Sequence, residues 1–406
     1  MQFWRVQPPA LTPGLATQWI IAALVALGPF SLTMYQPALP LIGSSLRAST
    51  GQIQLTLTVY LAAFALGQLI YGPLSDHFGR RRVLLAGIAI FVLGAIACVF
   101  AGSVHMLIAA RVVQGFGACA GPALGRAMIR DLYGPKNSAQ ALAFVSSALS
   151  VAPAVAPVFG GYIATWLGWQ AIFGSLAIVG ACMMLFVLLR VPETNPYVSE
   201  GTLRLSPLVT GYGELLRSRH YLGYMTIAAT STAGSLAFQT AAPFLMIERL
   251  GIAPSAFGWL LIVLTAAYFA GTLLANRLAG RGTVNRTLVL GSAFLLAGSA
   301  LQFGFAVAGL MTVWTVMLPQ VMWLIAMGII LPSAMAGAVA PFPKAAGSAA
   351  ALQGFAMMAA GALASLVLSQ LGIGVISLGA VMLVLAMVGF AIFMATVIAA
   401  RTRKGF

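Results

Sequence analysis

The chain has 406 residues, of which 61% are hydrophobic and only 7% are charged. Its mean hydropathy of +1.00 is too high for a globule whose surface faces water, so the composition excludes a soluble protein and indicates a polytopic membrane protein. The formal charge of +15 does not indicate nucleic-acid binding, because the basic residues are spread over short loops between apolar runs.

Twelve apolar runs are long enough to cross a hydrocarbon core about 30 Å thick. With a cytoplasmic N-terminus, seventeen Lys and Arg residues fall on the cytoplasmic side of these spans, and two, Arg47 and Arg249, fall on the other side. This asymmetry places both termini in the cytoplasm. The predicted spans, numbered 1 to 12, cover residues 17–41, 53–73, 83–102, 105–130, 137–162, 167–189, 220–245, 255–277, 286–308, 312–336, 346–370 and 374–400.

A polar turn from Gly72 to Val83 separates spans 2 and 3. The glycine and the following proline are expected to end one helix, and three consecutive arginines lie where the next begins. The turn resembles the loop signature after the second helix in transporters of the major facilitator superfamily, through Gly72, Leu74, Asp76, Gly79, Arg80 and Arg81.

This resemblance implies a gate on the cytoplasmic side. We expect Asp76 to lie near Lys344 to Gly347 at the start of span 11, where free N–H groups and the helix dipole favour an anion. We expect Arg80 to pair with Asp131 at the cytoplasmic end of span 4. Both contacts are expected when the cavity opens outward. The predicted gating residues of this region are Gly72, Asp76, Gly79, Arg80 and Asp131.

The outer half of span 1 combines polar residues with three prolines and is therefore expected to bend, with its polar groups facing protein or water. The segment from Phe30 to Pro40 resembles the first-helix motif of the bicyclomycin and chloramphenicol resistance branch of the superfamily. That branch carries an aspartate where this chain has Thr33. The difference removes the acid that the resemblance would nominate as the proton carrier.

Span 4 begins with a segment, Leu107 to Ala118, that resembles the fourth-helix pattern of the superfamily at every motif position. Arg111 and Gln114 are three residues apart and share one helical face. An arginine inside a span costs at least about 2.5 kcal/mol, which argues against a lipid-facing position. Two interpretations stay open: Arg111 lines the pathway, or it satisfies carbonyl groups of the bent span 1.

Span 5 holds a segment, Ala152 to Gly161, that resembles the motif marking exporters of the superfamily, with two alanines in place of glycines. Its small residues allow helices to approach closely and its prolines favour a kink, so it could act as a gate. The alternative is ordinary tight packing. The predicted gating residues of span 5 are Pro153, Pro157, Gly160 and Gly161.

The longest polar interruption, residues 190–219, divides six spans from six. We therefore predict an N-terminal bundle over 1–190, a cytoplasmic linker over 191–219 and a C-terminal bundle over 220–406. A polar stripe in span 7 and isolated glutamines elsewhere suit a largely apolar cavity between the bundles, although each amide could equally bond a neighbouring helix. The predicted substrate-binding residues are Tyr35, Gln36, Arg111 and Gln114 from one half, and Phe238, Gln239 and Gln353 from the other.

No HExxH, CxxC, P-loop or GxSxG pattern occurs, so we expect no enzyme, no cofactor and no metal site. All six acidic residues are predicted at membrane boundaries or in loops. The fold class expected is all-α, with twelve transmembrane helices in two pseudo-symmetric six-helix bundles, as in the major facilitator fold.

The function expected from the branch resemblance is export of small neutral or anionic organic compounds across the inner membrane, by proton-coupled antiport with alternating access. Two alternatives stay open. One is a permease for a nutrient such as a purine nucleoside, and the other is a transport-inactive scaffold or sensor. The expected partners are the small-molecule substrate, protons and the lipid bilayer, with no nucleic acid, and the expected state is a monomer.

Overall fold

The computed structural model describes residues 15–195, 206–279 and 283–398. Within these ranges the chain is almost entirely helical, with short 3-10 or π-helical turns at a few helix ends. The α-helices are α1 Leu15–Met34, α2 Leu39–Ser45, α3 Thr50–Phe78, α4 Arg80–Val99, α5 Val104–Ala118, α6 Ala120–Leu167, α7 Trp169–Arg190, α8 Ser206–Arg217, α9 Arg219–Pro243, α10 Pro254–Ala279, α11 Val284–Val307, α12 Val313–Val339, α13 Ala346–Leu371 and α14 Val375–Phe393.

These helices form twelve membrane spans, as the sequence predicted. The first span runs from α1 through a 3-10 turn into α2, and the fourth runs from α5 into α6. Helix α6 turns back at Gly134, where φ is 64°, and then supplies the fifth span. Ten segments of the described chain have the length and hydropathy of a membrane span. The remaining two spans are the second part of α6 and the less apolar α9.

The spans pack as two six-helix bundles. In the first bundle α1 lies against α6 and α4 lies against α5 and α7, while in the second α12 contacts α9, α10 and α11. Helices α3 and α6 of the first bundle meet α13 and α10 of the second. We call the end of the molecule with Arg80, Arg190, Arg219 and Arg286 the basic face, and the end with Arg47, Gly168 and Gly251 the far face.

Glycines bring the backbones of neighbouring helices into contact. A Cβ added to Gly117 of α5 would lie 2.3 Å from the backbone nitrogen of Phe91, and one added to Gly94 of α4 would lie 2.4 Å from the backbone nitrogen of Gln114. Since lipid tails are as apolar as the side chains, such close van der Waals packing takes the place of a hydrophobic driving force between the helices.

The prediction that Gly72 and Pro73 end the second helix is wrong, because α3 continues through Pro73 to Phe78. Pro73 has no N–H to donate to the carbonyl of Leu69, and the helix continues without that one hydrogen bond. The helix ends instead at Gly79, whose φ of 93° suits glycine.

The carboxylate of Glu193, just after α7, caps the start of α4. It accepts hydrogen bonds from the backbone nitrogens of Arg80 at 2.7 Å and Arg81 at 3.1 Å. An anion at this position also interacts favourably with the helix dipole. A Cβ on Gly79 would lie 2.5 Å from Oε2 of Glu193, so the glycine is required both for the turn and for the close approach of the carboxylate.

Replacing Glu193 with alanine is expected to lower the free energy of unfolding by about 1–2 kcal/mol, because two backbone donors lose a charged acceptor at a helix N-terminus. Thermal unfolding of the purified protein in detergent measures the change. Glu214→Ala serves as the control, since Glu214 lies on the exposed side of α8. Equal melting temperatures for the two variants would contradict the capping role.

Candidate functional site

A cavity of about 470 Å³ lies between the two bundles. Its wall is mainly apolar, with contributions from Phe64, Leu236, Phe238 and Met357. A few polar groups interrupt this wall, as is usual for sites that bind small organic molecules. The polar lining residues include Thr33, Gln36, Gln68, Arg126, Thr232, Ser235, Gln239, Thr265 and Gln320.

The far face of the molecule is closed by direct contacts between the bundles. The side-chain nitrogen of Gln36 donates to the side-chain oxygen of Gln239 at 2.9 Å. Helices α6 and α10 also touch through their backbones: a Cβ on Gly161 would lie 2.5 Å from the carbonyl oxygen of Pro254, and one on Gly258 would lie 2.7 Å from that of Pro157. Gly161 and Pro157, predicted as gating residues, thus lie at the interface between the bundles.

The other predicted residues of span 5 lie elsewhere. A Cβ on Gly160 would lie 1.6 Å from the carbonyl oxygen of Met34, so this glycine packs within the first bundle. Pro153 belongs to the cavity lining. The segment therefore combines a contact inside its bundle with a contact across to the other bundle, and its role in gating stays a prediction.

Near the basic face, Arg80 contacts two carboxylates. Its Nε lies 3.2 Å from Oδ2 of Asp131, which is the predicted pair, and its Nη1 lies 2.5 Å from Oδ1 of Asp76. All three residues belong to the first bundle. The Arg80–Asp131 contact is present here while the far face is closed, so the pair does not depend on an open far face, in contrast to the expectation.

The register between α3 and α13 bears on the predicted position of Asp76. Ser369 lies next to Gly51, and Gln68 lies next to Gly354, so the two helices are antiparallel. Eight residues beyond Gln68, Asp76 comes level with Ala346, the first residue of α13. The Asp76 side chain is 66% exposed and pairs with Arg80 in this structure. The side chain of Lys344 lies outside the described residues, and the contact with α13 stays a prediction.

Arg111 is fully buried in the first bundle. Its guanidinium carbon lies 4.2 Å from the ring centroid of Tyr35 and 4.1 Å from that of Tyr60, distances typical of cation–π contacts. Its Nη1 donates to Oε1 of Gln114 at 2.6 Å. Tyr60 belongs to the cavity lining and Arg111 does not, so the arginine lies behind the wall. Neither interpretation from the sequence describes this arrangement.

The structure divides the predicted substrate-binding residues into two groups. Gln36, Phe238 and Gln239 line the cavity. The others are buried outside this lining: Tyr35, Arg111, Gln114 and Gln353. For both groups a part in substrate binding stays a prediction.

Sequence reasoning missed Arg126, which lies on α6 and lines the cavity. The signal was present, since Arg126 falls inside predicted span 4 and not in a loop. None of the acidic residues in the described ranges lines the cavity, and Glu200 is outside those ranges. The cavity is therefore cationic at one point and has no carboxylate from the described chain.

Comparisons with known proteins agree with this architecture. The family model of the Major Facilitator Superfamily matches residues 21–365. The chain is 33% identical to multidrug resistance protein D of Escherichia coli (strain K12), over 89% of this chain and 91% of that protein. It is 31% identical to the uncharacterized MFS-type transporter YdgK of Bacillus subtilis (strain 168), over 92% and 94% of the two chains.

A third relative is the bicyclomycin resistance protein homolog of Haemophilus influenzae, at 31% identity over 84% of this chain and 86% of that protein. Among solved structures, the xylose transporter XylE from E. coli in a partially occluded inward open conformation has a TM-score of 0.72 and 14% identity, covering 94% of this chain and 98% of that one. This likeness shows the fold. The chain is a multi-pass membrane protein and belongs to the Major Facilitator Superfamily.

Proposed function

We propose that the protein exports small neutral or anionic organic compounds from the cytoplasm across the inner membrane, by alternating access. In this proposal the basic face is cytoplasmic, as expected from the distribution of Lys and Arg over the loops. The bundles, residues 1–190 and 220–406 joined by the linker 191–219, rock about the cavity between them. Its similarity to multidrug resistance protein D of Escherichia coli and to the bicyclomycin resistance protein homolog of Haemophilus influenzae supports drug efflux.

The observation that carries this proposal is the composition of the cavity wall. The wall combines a large apolar surface with amide and hydroxyl groups from both bundles. It also contains one arginine, and no acidic residue of the described ranges lines it. A permanently cationic compound would enter a positive potential without a counter-charge, which is unfavourable in a site of low dielectric constant. Neutral and anionic compounds do not meet this barrier.

Proton coupling in this proposal uses an acid at the membrane boundary or a proton carried by the substrate. Asp131 pairs with Arg80 near the basic face, and Glu248 is exposed near the far face. Thr33, which replaces the aspartate of the resembled branch, donates from its hydroxyl to the carbonyl of Pro29 at 3.0 Å. A threonine hydroxyl does not ionise at physiological pH, so Thr33 cannot carry a proton as an aspartate could.

Thr33→Asp is expected to make the cavity accept cations. The native protein should export phenicol-type compounds and export ethidium-type cations poorly, and the aspartate should raise ethidium efflux by about tenfold or more. Efflux of both classes from the same cells measures the effect, with Thr33→Asn as the uncharged control of equal size. Strong native export of the quaternary cation that the aspartate leaves unchanged would contradict the proposal.

Flux assays on reconstituted vesicles separate export from the other two functions. Vesicles with an imposed pH gradient should accumulate phenicol-type compounds in the direction that corresponds to export, and collapse of the gradient should reduce the accumulation. Preferential movement of purine nucleosides in the opposite direction would favour a permease. No flux of any compound in a panel, from protein that is correctly folded, would favour a scaffold or sensor.

A further inference from the structure

Arg126 is a cation in the cavity, and it forms no ion pair with an acidic residue of the described ranges. The ion pairs among the described residues both involve Arg80, which contacts Asp76 and Asp131. The cavity wall around Arg126 is largely apolar. Arg126 is half-buried, so its guanidinium has lost part of its hydration, and an anion or several hydrogen-bond acceptors would compensate for that loss.

The packing of α6 fixes the position of this arginine. A Cβ on Gly121 would lie 2.0 Å from the carbonyl oxygen of Leu24, and one on Gly125 would lie 2.3 Å from Cγ2 of Val25. These glycines hold α6 closely against α1, while Pro122 and Arg126, one turn apart, belong to the cavity lining. The arginine is thus presented to the cavity from a rigid part of the helix.

A second polar region lies in the same cavity, towards the far face. Gln320 of α12 is fully buried and lines the cavity, and neither atom of its amide has a hydrogen-bond partner in the part of the chain that the structure describes. The side-chain oxygen of Gln36 likewise has no partner there. Buried amides without partners are unfavourable, and a ligand with hydroxyl or carbonyl groups would satisfy them.

The two regions are separated by the length of a small drug. Gly125 packs against Val25. From Val25 to Gln36 the first span advances eleven residues, through α1 and into the 3-10 turn that follows it, which corresponds to about 16 Å at the rise of about 1.5 Å per residue of a straight α-helix. The apolar side chains of Phe64, Leu236 and Met357 line the same cavity.

We propose that Arg126 is the anion-binding residue of the cavity, and that the preferred cargo is an amphipathic monoanion. Its acidic group pairs with Arg126, its apolar body lies along the cavity wall, and a hydroxyl or carbonyl group contacts Gln320 and Gln36. A carboxylate suits the guanidinium because it accepts two parallel N–H hydrogen bonds. This inference rests on the proposed function only in treating the cavity as the transport site.

The test compares two probes of one shape, 1-naphthylacetate and the uncharged 1-naphthylacetamide. Binding to the purified full-length protein in detergent is measured by calorimetric titration, and flux is measured in reconstituted vesicles. The native protein should bind the acid at least tenfold more tightly than the amide. In Arg126→Gln the affinity for the acid should fall to that for the amide, with the amide little changed, and Arg126→Lys should retain part of the preference.

Arg130→Gln is the matched control, because it removes the same charge one turn further along α6, from an exposed residue outside the cavity lining. This variant should keep the preference for the acid. If Arg126→Gln does not fold, Arg126→Met, which fills a similar volume, gives the same comparison. Equal binding of the two probes by the native protein, a preference that survives in Arg126→Gln, or an equal loss in Arg130→Gln would each overturn the assignment.

The two readouts keep this inference apart from the proposed function. An Arg126-dependent preference in binding, without flux of either probe or of any phenicol, would support the anion site and contradict the exporter. Flux of the amide and of phenicols, without any preference for the acid, would support the exporter and overturn the anion site.

Discussion

Gly161→Val is expected to abolish transport while the protein remains folded. Gly161 lies on α6 of the first bundle, and a Cβ there would meet the backbone of the second bundle, 2.5 Å from the carbonyl oxygen of Pro254 and 2.9 Å from Cα of Ser255. Backbone atoms at a helix start cannot turn aside as a flexible side chain can. Valine therefore prevents α6 and α10 from closing at the far face.

Alternating access requires the protein to exchange between a state with a closed far face and a state with an open one. A steric cost of several kcal/mol in the closed state shifts the population by more than about 100-fold towards a state with an open far face. Transport in vesicles should fall by at least tenfold. A cysteine replacing Gln239, in a background without the native cysteines, should react faster with an impermeant thiol reagent added at the far face when residue 161 is valine than when it is the native glycine, since both proteins lack the Gln36–Gln239 contact.

The neighbouring glycine provides a sharp control for this prediction. Gly160→Val would place a Cβ 1.6 Å from the carbonyl oxygen of Met34, inside the first bundle, so that this variant should lose thermal stability instead of changing conformation. Gly304→Val, in α11, meets nothing within 4 Å and should behave as the native protein. Normal transport by Gly161→Val would show that the two bundles do not need this backbone contact.

The twelve-span fold could be predicted from the sequence because hydropathy and helix length report directly on the thickness of the bilayer. Turn-forming residues were a less reliable guide to the ends of individual helices. Pro73 was expected to end a helix, yet α3 continues for five residues beyond it, to Phe78. The cap at the start of α4 comes from Glu193, more than 100 residues away, and no local pattern reveals such a partner.

The candidate site was predictable only in part, because periodicity gives the face of a helix but not the residues opposite that face. The polar stripe of α9 contributes Ser235 and Gln239 to the cavity lining, and Phe238 lies beside them there, while their part in binding stays a prediction. The motif around Arg111 indicated that this arginine avoids the lipid. It could not show that the ring of Tyr60 lies between Arg111 and the cavity, because Tyr60 is an ordinary aromatic residue in an apolar span. Arg126 lies in no recognised motif. Its position inside a span nevertheless indicated, as for Arg111, that its charge faces protein or a cavity and not lipid.

Arg111→Met is expected to fold but to lose transport by at least tenfold. Methionine fills most of the space between the rings of Tyr35 and Tyr60 and removes a buried charge, so the stability of this state should be unchanged or higher. The native guanidinium has two nitrogens, Nε and Nη2, without hydrogen-bond partners in the described chain. Because buried charged donors without partners are unfavourable, we expect them to find acceptors in another state of the cycle.

Two further variants separate packing from this role. Arg111→Ala leaves a void between two rings and should reduce the free energy of unfolding by about 2–5 kcal/mol. Arg111→Lys keeps the charge but has no planar group to stack on the rings, and should therefore be less stable than the methionine variant and equally inactive. Thermal unfolding in detergent and flux in vesicles measure the two effects separately. If Arg111→Met transports normally, the arginine serves only to pack α5 against α1 and α3, and its part in substrate binding is excluded.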